Sequence, residues 1–288
     1  MTSMTTPHLP YTTFSDADIQ AFAPELKIGV LATVTPDGQP HLTLISSLGA
    51  CSPTQVTFGQ FTEGMSKAHV RANPKAGFLI MTLARDLWRG KATFTRTAQS
   101  GPEFDRYNTQ PMFRYNAYFG IHTVYYLDLV AHTGRQPLPM NRVVGAAVAT
   151  LLARTAGGPR GGQAVLNGWT RDLLNKLDNL KFLGYIGADG YPVIVPAIQA
   201  QASDREHVIF ALTAYGDELR AVPAGATVAV FGMALSMEDV LLRGEFQGNR
   251  RVAGIPCGIV AVNWVYNPMP PVPGQIYPER PIEPVTAF

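Results

Sequence analysis

An internal repeat restricts the fold of this chain more than any single motif. The turn signal Asp37-Gly38-Gln39-Pro40 returns as Asp189-Gly190-Tyr191-Pro192, and Val56-Thr57-Phe58 returns as Val208-Ile209-Phe210, each 152 residues later (189 − 37 and 208 − 56). Residues 76–81 are answered by 226–231, and Arg89-Gly90-Lys91 by Arg243-Gly244-Glu245 at a spacing of 154 (243 − 89). A repeat this long describes two domains, not a solenoid of short units. The repeated segments are short, β-branched or aromatic, and separated by hairpin turns, which indicates antiparallel barrels or sandwiches. The expectation is a mainly β protein with peripheral helices. A first barrel spans 15–135, a helical linker 136–180, and a second barrel with a proline-rich tail 181–288.

Within the first copy, Ser15-Asp16-Ala17-Asp18 opens a helix running to Phe22. Strands are expected at 27–35, 41–46, 55–58, 76–82 and 88–97. An aromatic stretch follows at 104–129, with Tyr107, Phe113, Tyr115, Tyr118, Phe119, Tyr125 and Tyr126. It suits either core and interface packing or a stacking surface for a planar substrate. Small residues at 141–154 read as a helix, and the glycines of 157–162 as a flexible linker, because no G-K-[ST] follows them. A second helix is expected at 169–180, and the tail from Asn267 as an extended arm lying on a neighbouring surface.

The stretch Phe58 to Pro74 carries the chemical signal. A strand ends at Phe58, Thr62-Glu63-Gly64 break it, Ser66 stands where an N-cap belongs, and Asn73-Pro74 stops the helix. Ser66 and Lys67 therefore sit at a helix N-terminus, where backbone N–H groups and the helix dipole favour an anion such as phosphate. An ordinary capped helix with a solvated lysine fits the same residues. The second copy lacks the pair and places Asp217 and Glu218 near the equivalent junction, where carboxylates would compete with a phosphate. One copy is thus expected to bind and the other to serve as scaffold.

Composition narrows the partners. Of 288 residues only 15% are charged and the formal charge is +2, with no basic cluster interleaved with aromatics, so nucleic acid is not expected. The low charge implies surface hidden in an interface, and a homodimer is expected. No apolar run reaches membrane-spanning length, and residues 1–14 resemble a surface-hugging arm rather than a secretory signal, so a cytoplasmic location is expected. Cys51 and Cys257 are far apart with no Cys/His cluster, which gives no zinc site. Among the six histidines none share metal-ligand spacing; His41 and His69 read as structural or surface groups, with His41 and His132 kept as weak ligand candidates. Trp88 enters the fifth strand and suits barrel packing or stacking on a planar ligand. Hydrolase, NTPase and Rossmann motifs are lacking.

Taken together, the strand–D-G-x-P–strand hairpin, the strand leading into Phe61-Thr62, the Ser66-Lys67 loop and the Asn73-Pro74 stop resemble the pyridoxamine 5′-phosphate oxidase-like family of FMN-binding split barrels. The resemblance covers about residues 25–135, and the second copy keeps the pattern with a degraded motif. It implies a dimerising six-stranded split barrel with FMN between barrels. It further implies cofactor contacts at Thr43, Ile45, Ser46, Ser47, Thr62, Met65, Ser66, Lys67 and Trp88, with the 43–47 strand beside the flavin. Thr43 stands where the oxidase itself carries an arginine, so the resemblance points to a flavin-using oxidoreductase on a small molecule rather than to pyridoxine phosphate chemistry. Deazaflavin- or haem-binding relatives and a non-catalytic flavin binder share the same fold.

Overall fold

The computed structural model describes residues 7–61, 64–110, 120–269 and 273–281. These fall in two compact units, Pro7–Leu138 with Ile186–Ile194, and Pro139–Tyr185 with Val195–Phe288.

The first unit opens with helix α1 (Asp16–Phe22), whose cap is reciprocal: Asp18 N–H donates to Ser15 Oγ at 3.2 Å and Ser15 N–H donates to Asp18 Oδ2 at 3.0 Å. Strands β1 (Lys27–Val34), β2 (Pro40–Leu44), β3 (Gly49–Ser52) and β4 (Gln55–Gln60) follow. Next come helix α2 (Met65–Ala72), strands β5 (Lys75–Thr82) and β6 (Asp86–Ala98), helix α3 (Pro102–Thr109), and strands β7 (Thr123–His132) and β8 (Gln136–Pro137). Their antiparallel sheet runs β2-β1-β5-β6-β7-β4-β3, with β8 on β6.

In the second copy of the repeat, helices α4 (Met140–Gly157) and α5 (Gly168–Asn175) precede β9 (Leu180–Ile186), β10 (Pro192–Pro196), β11 (Gln201–Ala202) and β12 (His207–Ala211). Helix α6 (Gly216–Arg220), then β13 (Thr227–Met233), β14 (Asp239–Val252), β15 (Ile255–Asn267) and β16 (Gly274–Tyr277) complete it. The sheet runs β10-β9-β13-β14-β15-β12-β11, with β16 on β15. Strand for strand this is the order of the first sheet, so the chain holds two copies of one mainly β topology.

The repeat has a packing cause. Arg89 lies opposite Leu79 and Arg243 opposite Ala229, a shift of 150 residues (229 − 79) that matches the 76–81 and 226–231 correspondence. The glycine after each arginine lets two strands close up. A β-carbon on Gly90 would lie 2.4 Å from the Ala131 carbonyl oxygen, and one on Gly244 2.1 Å from that of Ala261. Each glycine therefore marks the same tight crossing, β6 on β7 and β14 on β15.

Several expectations shift. Each sheet has eight strands, not six, because short β3 and β8 extend the first and β11 and β16 the second. Strand β2 ends at Leu44, and residues 45–47 form a turn instead of continuing the strand. Part of the tail expected as an extended arm on a neighbouring surface is strand β16, with Gln275 opposite Tyr266. The glycine-rich 157–162 segment is held within its unit: Ser203 Oγ donates to the Pro159 carbonyl at 3.0 Å, and Gln163 N–H donates to Glu206 at 3.2 Å. Of the aromatic stretch, Tyr107, Tyr125 and Tyr126 are buried, while Phe113, Tyr115, Tyr118 and Phe119 lie outside the described residues.

The first core gathers Phe14, Phe22, Leu31, Phe58, Phe78, Trp88 and Tyr125. Each such side chain contributes roughly 2 kcal/mol by leaving water. In the second unit Phe210 and Phe246 stack at 6.2 Å, and helix α4 meets β12 through Thr150, whose hydroxyl accepts the Ala211 N–H at 2.8 Å.

That second core also buries Asp239, whose Oδ1 has no hydrogen-bond partner among the described residues. Burial pushes its carboxyl up from 3.8 to about 7. A carboxyl raised in the folded state costs nothing below its unfolded value; the cost grows as pH climbs towards the folded value and then stays constant. Asp239→Asn should therefore unfold later than wild type at about pH 8, by on the order of a few kcal/mol, with the difference closing towards about pH 4. Chemical denaturation across that pH range checks it.

Candidate functional site

Strand β2 and helix α2 meet along two rungs. Residues two apart on a strand share a face, as do residues three apart on a helix. His41 and Thr43 on β2 thus face His69 and Ser66 on α2. Thr43 Oγ1 lies 2.5 Å from Ser66 Oγ, and the His41 and His69 rings pack edge to face at 4.8 Å. Thr33 on β1 adds a hydroxyl 3.1 Å from His69 Nδ1. The rungs run antiparallel, so the chain leaving β2 passes the N-terminal end of α2.

The helix starts two residues earlier than its sequence indicates. Gly64, extended at φ −165° and ψ 158°, is the N-cap, and Ser66 is the second helical residue. Its side chain is therefore free of the capping role and turns to Thr43. In that pair one hydroxyl donates to the other, and the acceptor's own proton remains for a third group. The helix ends as expected, with Asn73 extended before Pro74 and its N–H donating to the His69 carbonyl at 2.7 Å.

Ser66 is 1% and Lys67 7% exposed. A β-carbon at Gly64 would lie 3.2 Å from Lys67 Nζ, so the ammonium folds back over the helix cap. At the positive end of a helix, that ammonium and the backbone N–H groups together favour an anion. A buried and a half-buried hydroxyl, an ammonium and a helix N-terminus thus converge, a donor set that suits a phosphate monoester.

The other residues singled out by sequence divide. Met65 is half-buried in the first turn of α2, and Ser46 is half-buried in the turn after β2. Ile45 is buried in the core, with its N–H donating to the Gly29 carbonyl at 2.7 Å. Ser47 latches that turn to β4: its Oγ donates to the Gly59 carbonyl at 3.1 Å and accepts the Gly59 N–H at 3.0 Å. Thr62 lies outside the described residues. Trp88 packs under α1, with its indole N–H on Asp18 Oδ1 at 2.7 Å and its ring edge-on to Phe22 at 5.0 Å.

His132 is structural in its contacts. Its Nδ1 accepts the Gly134 N–H at 3.1 Å, which leaves Nε2–H to donate to the Thr13 carbonyl at 2.9 Å. No group of three or more metal-ligating side chains occurs among the described residues. In the second copy α6 has five residues, with Asp217 and Glu218 in its first turn and Arg220 donating to Asp217 at 2.9 Å. An acidic, internally paired turn thus stands where the first copy has Ser66 and Lys67.

Sequence reasoning missed two features. His41 and His69 were taken separately, although the paired spacings 41/43 and 66/69 are legible. A polar chain was also missed: Arg71 donates to the Tyr125 hydroxyl at 2.7 Å, which donates to Gln60 Oε1 at 2.9 Å. Beside Ser47, a cavity of about 170 Å³ is lined by Lys27, Arg106 and Tyr107 among others. Burial, then the Arg106 charge, pushes the Lys27 amine down to about 8.

Gly29 sets the position of the 45–47 turn. A β-carbon there would stand 2.3 Å from the Ile45 carbonyl oxygen and 2.7 Å from Leu48 Cβ. Gly29→Ala should cost about 2 kcal/mol or more in urea unfolding, since backbone must shift to admit the methyl group.

Residues 15–127 match the pyridoxamine 5′-phosphate oxidase family. Among solved structures, an FMN-binding protein of Syntrophomonas wolfei is 14% identical, with 40% of this chain and 81% of that chain covered at a TM-score of 0.35. An F420 reductase is 16% identical, covering 41% and 98% at 0.32. General Stress Protein 26 of Bacillus anthracis is 14% identical, covering 40% and 84% at 0.31. A comparison with curated protein sequences gives no match. The match to the pyridoxamine 5′-phosphate oxidase family thus falls on the first copy of the repeat, whose strand order the second copy shares.

Proposed function

We propose that this protein is an FMN-binding flavoprotein and an oxidoreductase acting on a small molecule. The observation that carries the reading is the Thr43–Ser66 hydroxyl pair beside the Lys67 ammonium at the α2 N-terminus. The phosphate of FMN is the group this cradle suits. Lys67 neutralises its charge, and the free proton of the Thr43–Ser66 pair donates to one of its oxygens. Ser46 and Met65 flank the cradle, and Ile45 and Ser47 hold the turn along which the rest of the cofactor would lie. Trp88 acts through the core and not by stacking on the ring. FMN, when bound, supplies two-electron redox chemistry.

The same reading includes a homodimer in the cytoplasm. Support comes from the exposed Leu26 and Leu83, 64% and 67% accessible, and from two free cysteines. Among the described residues no helix is long and apolar enough to cross a membrane.

Protein purified without added cofactor should be yellow with a two-banded flavin spectrum, and heating should release FMN identifiable by mass. Ser66→Ala/Lys67→Ala should weaken FMN binding by about 100-fold or more, since two charge-assisted phosphate contacts are lost. A Soret band, a released deazaflavin, or a colourless protein that takes up no FMN would each replace this reading.

A further inference from the structure

We propose a second anion site, in the second unit, that takes a phosphate-bearing small molecule. It lies where the end of α4, the 158–161 segment, α5 and the residues after β11 surround a polar cavity of about 380 Å³. Three arginines line it: Arg154 from the last turn of α4, Arg160 from the segment after it, and Arg171 from α5.

Among the described residues none of the three guanidinium groups has a hydrogen bond or ion pair. The Nε of Arg171 is shielded from solvent with no partner. Buried polar groups are nearly always satisfied, so an orphaned guanidinium nitrogen beside a cavity needs a ligand to account for it. Three like charges round one concavity also repel one another, and an anion between them removes that cost.

The one carboxylate in the lining, Asp204, does not supply the missing charge. It accepts the backbone N–H groups of Glu206 and His207, each at 2.7 Å, and that of Gly161, and it lies 3.1 Å from the His207 ring nitrogen. Burial pushes its pKa up, but those bonds together outweigh it and hold the carboxyl low; the oxygens are committed to shaping the loop. The cavity therefore keeps a net positive wall. Asn175 offers a neutral donor there: its Oδ1 accepts the Ala202 N–H at 3.0 Å, which leaves the amide NH2 unspent.

The chemistry selects an oxyanion with several acceptor oxygens. Arginine forks match phosphate geometry two bonds at a time, and three forks exceed what a single carboxylate can satisfy. The volume falls in the range of small-molecule sites and is larger than one oxyanion fills. A phosphate ester fits both facts. This site is independent of the Ser66–Lys67 cradle, and its occupant need not be a flavin.

The test separates the two sites. Inorganic phosphate and glycerol 3-phosphate are titrated at low salt, by calorimetry and by thermal melting, into the full chain carrying Ser66→Ala/Lys67→Ala. Binding should persist in that background. Arg171→Lys, which keeps the charge and loses the fork, should weaken it at least about tenfold, and Arg160→Gln by a similar factor. Without phosphate, Arg160→Gln should melt no lower than its parent, because it relieves repulsion at an exposed position. Phosphate binding that vanishes with Ser66 and Lys67, or that survives both arginine changes, overturns the site. A lower melting point of Arg160→Gln without phosphate makes the arginine structural and also overturns it. Tighter binding of glycerol 3-phosphate than of inorganic phosphate supports the ester; binding of inorganic phosphate alone overturns that part.

Discussion

The contact between β2 and α2 is the constraint on which the site depends. A strand that repeats every two residues and a helix that repeats every three to four can share a polar face only over a short length. Here that length holds two rungs, Thr43 on Ser66 and His41 against His69. The lower rung orients the helix, and the upper one delivers a hydroxyl pair to its N-terminal end. The net worth of one such hydrogen bond is about 1 kcal/mol, so it does not hold the fold. It decides instead which way Ser66 points, and so whether the helix end presents a donor set or only a cap.

Duplication shows what the fold needs and what only one copy uses. Both copies keep the strand order and the arginine–glycine crossing, since a β-carbon at Gly90 or Gly244 would strike a neighbouring carbonyl. They differ where packing leaves a choice. The eight-residue α2 is buried along Ser66, Lys67, His69 and Val70, whereas α6 has five residues and an acidic first turn. Positive charge in the second unit has gathered elsewhere, at the end of α4 and on α5.

Much of this was legible in the sequence because periodicity and turn chemistry are local signals. The hairpin at Asp37-Gly38, the capping box at Ser15 and the stop at Asn73-Pro74 all follow from neighbours in the chain. The helix N-terminus that carries Ser66 and Lys67 was legible for the same reason. What failed depended on distant partners. The Ser66 side chain serves Thr43 because Gly64 took the cap, and the 45–47 segment turns because Gly29 leaves room for it. Trp88 is committed to Asp18, 70 residues away, which no spacing announces. The short strands β3, β8, β11 and β16 owe their pairing to the sheet rather than to their own composition.

The double hydrogen bond between Ser47 and Gly59 joins the turn after β2 to the end of β4, two segments that reach the site from different sides. One small hydroxyl, used as donor and acceptor together, removes the freedom those segments would otherwise keep. A ligand arriving at the cradle then meets walls already ordered, and the entropy of arranging them is spent during folding instead of being charged against its affinity. Selection for tight binding can therefore act on a residue through the order it gives to the walls alone.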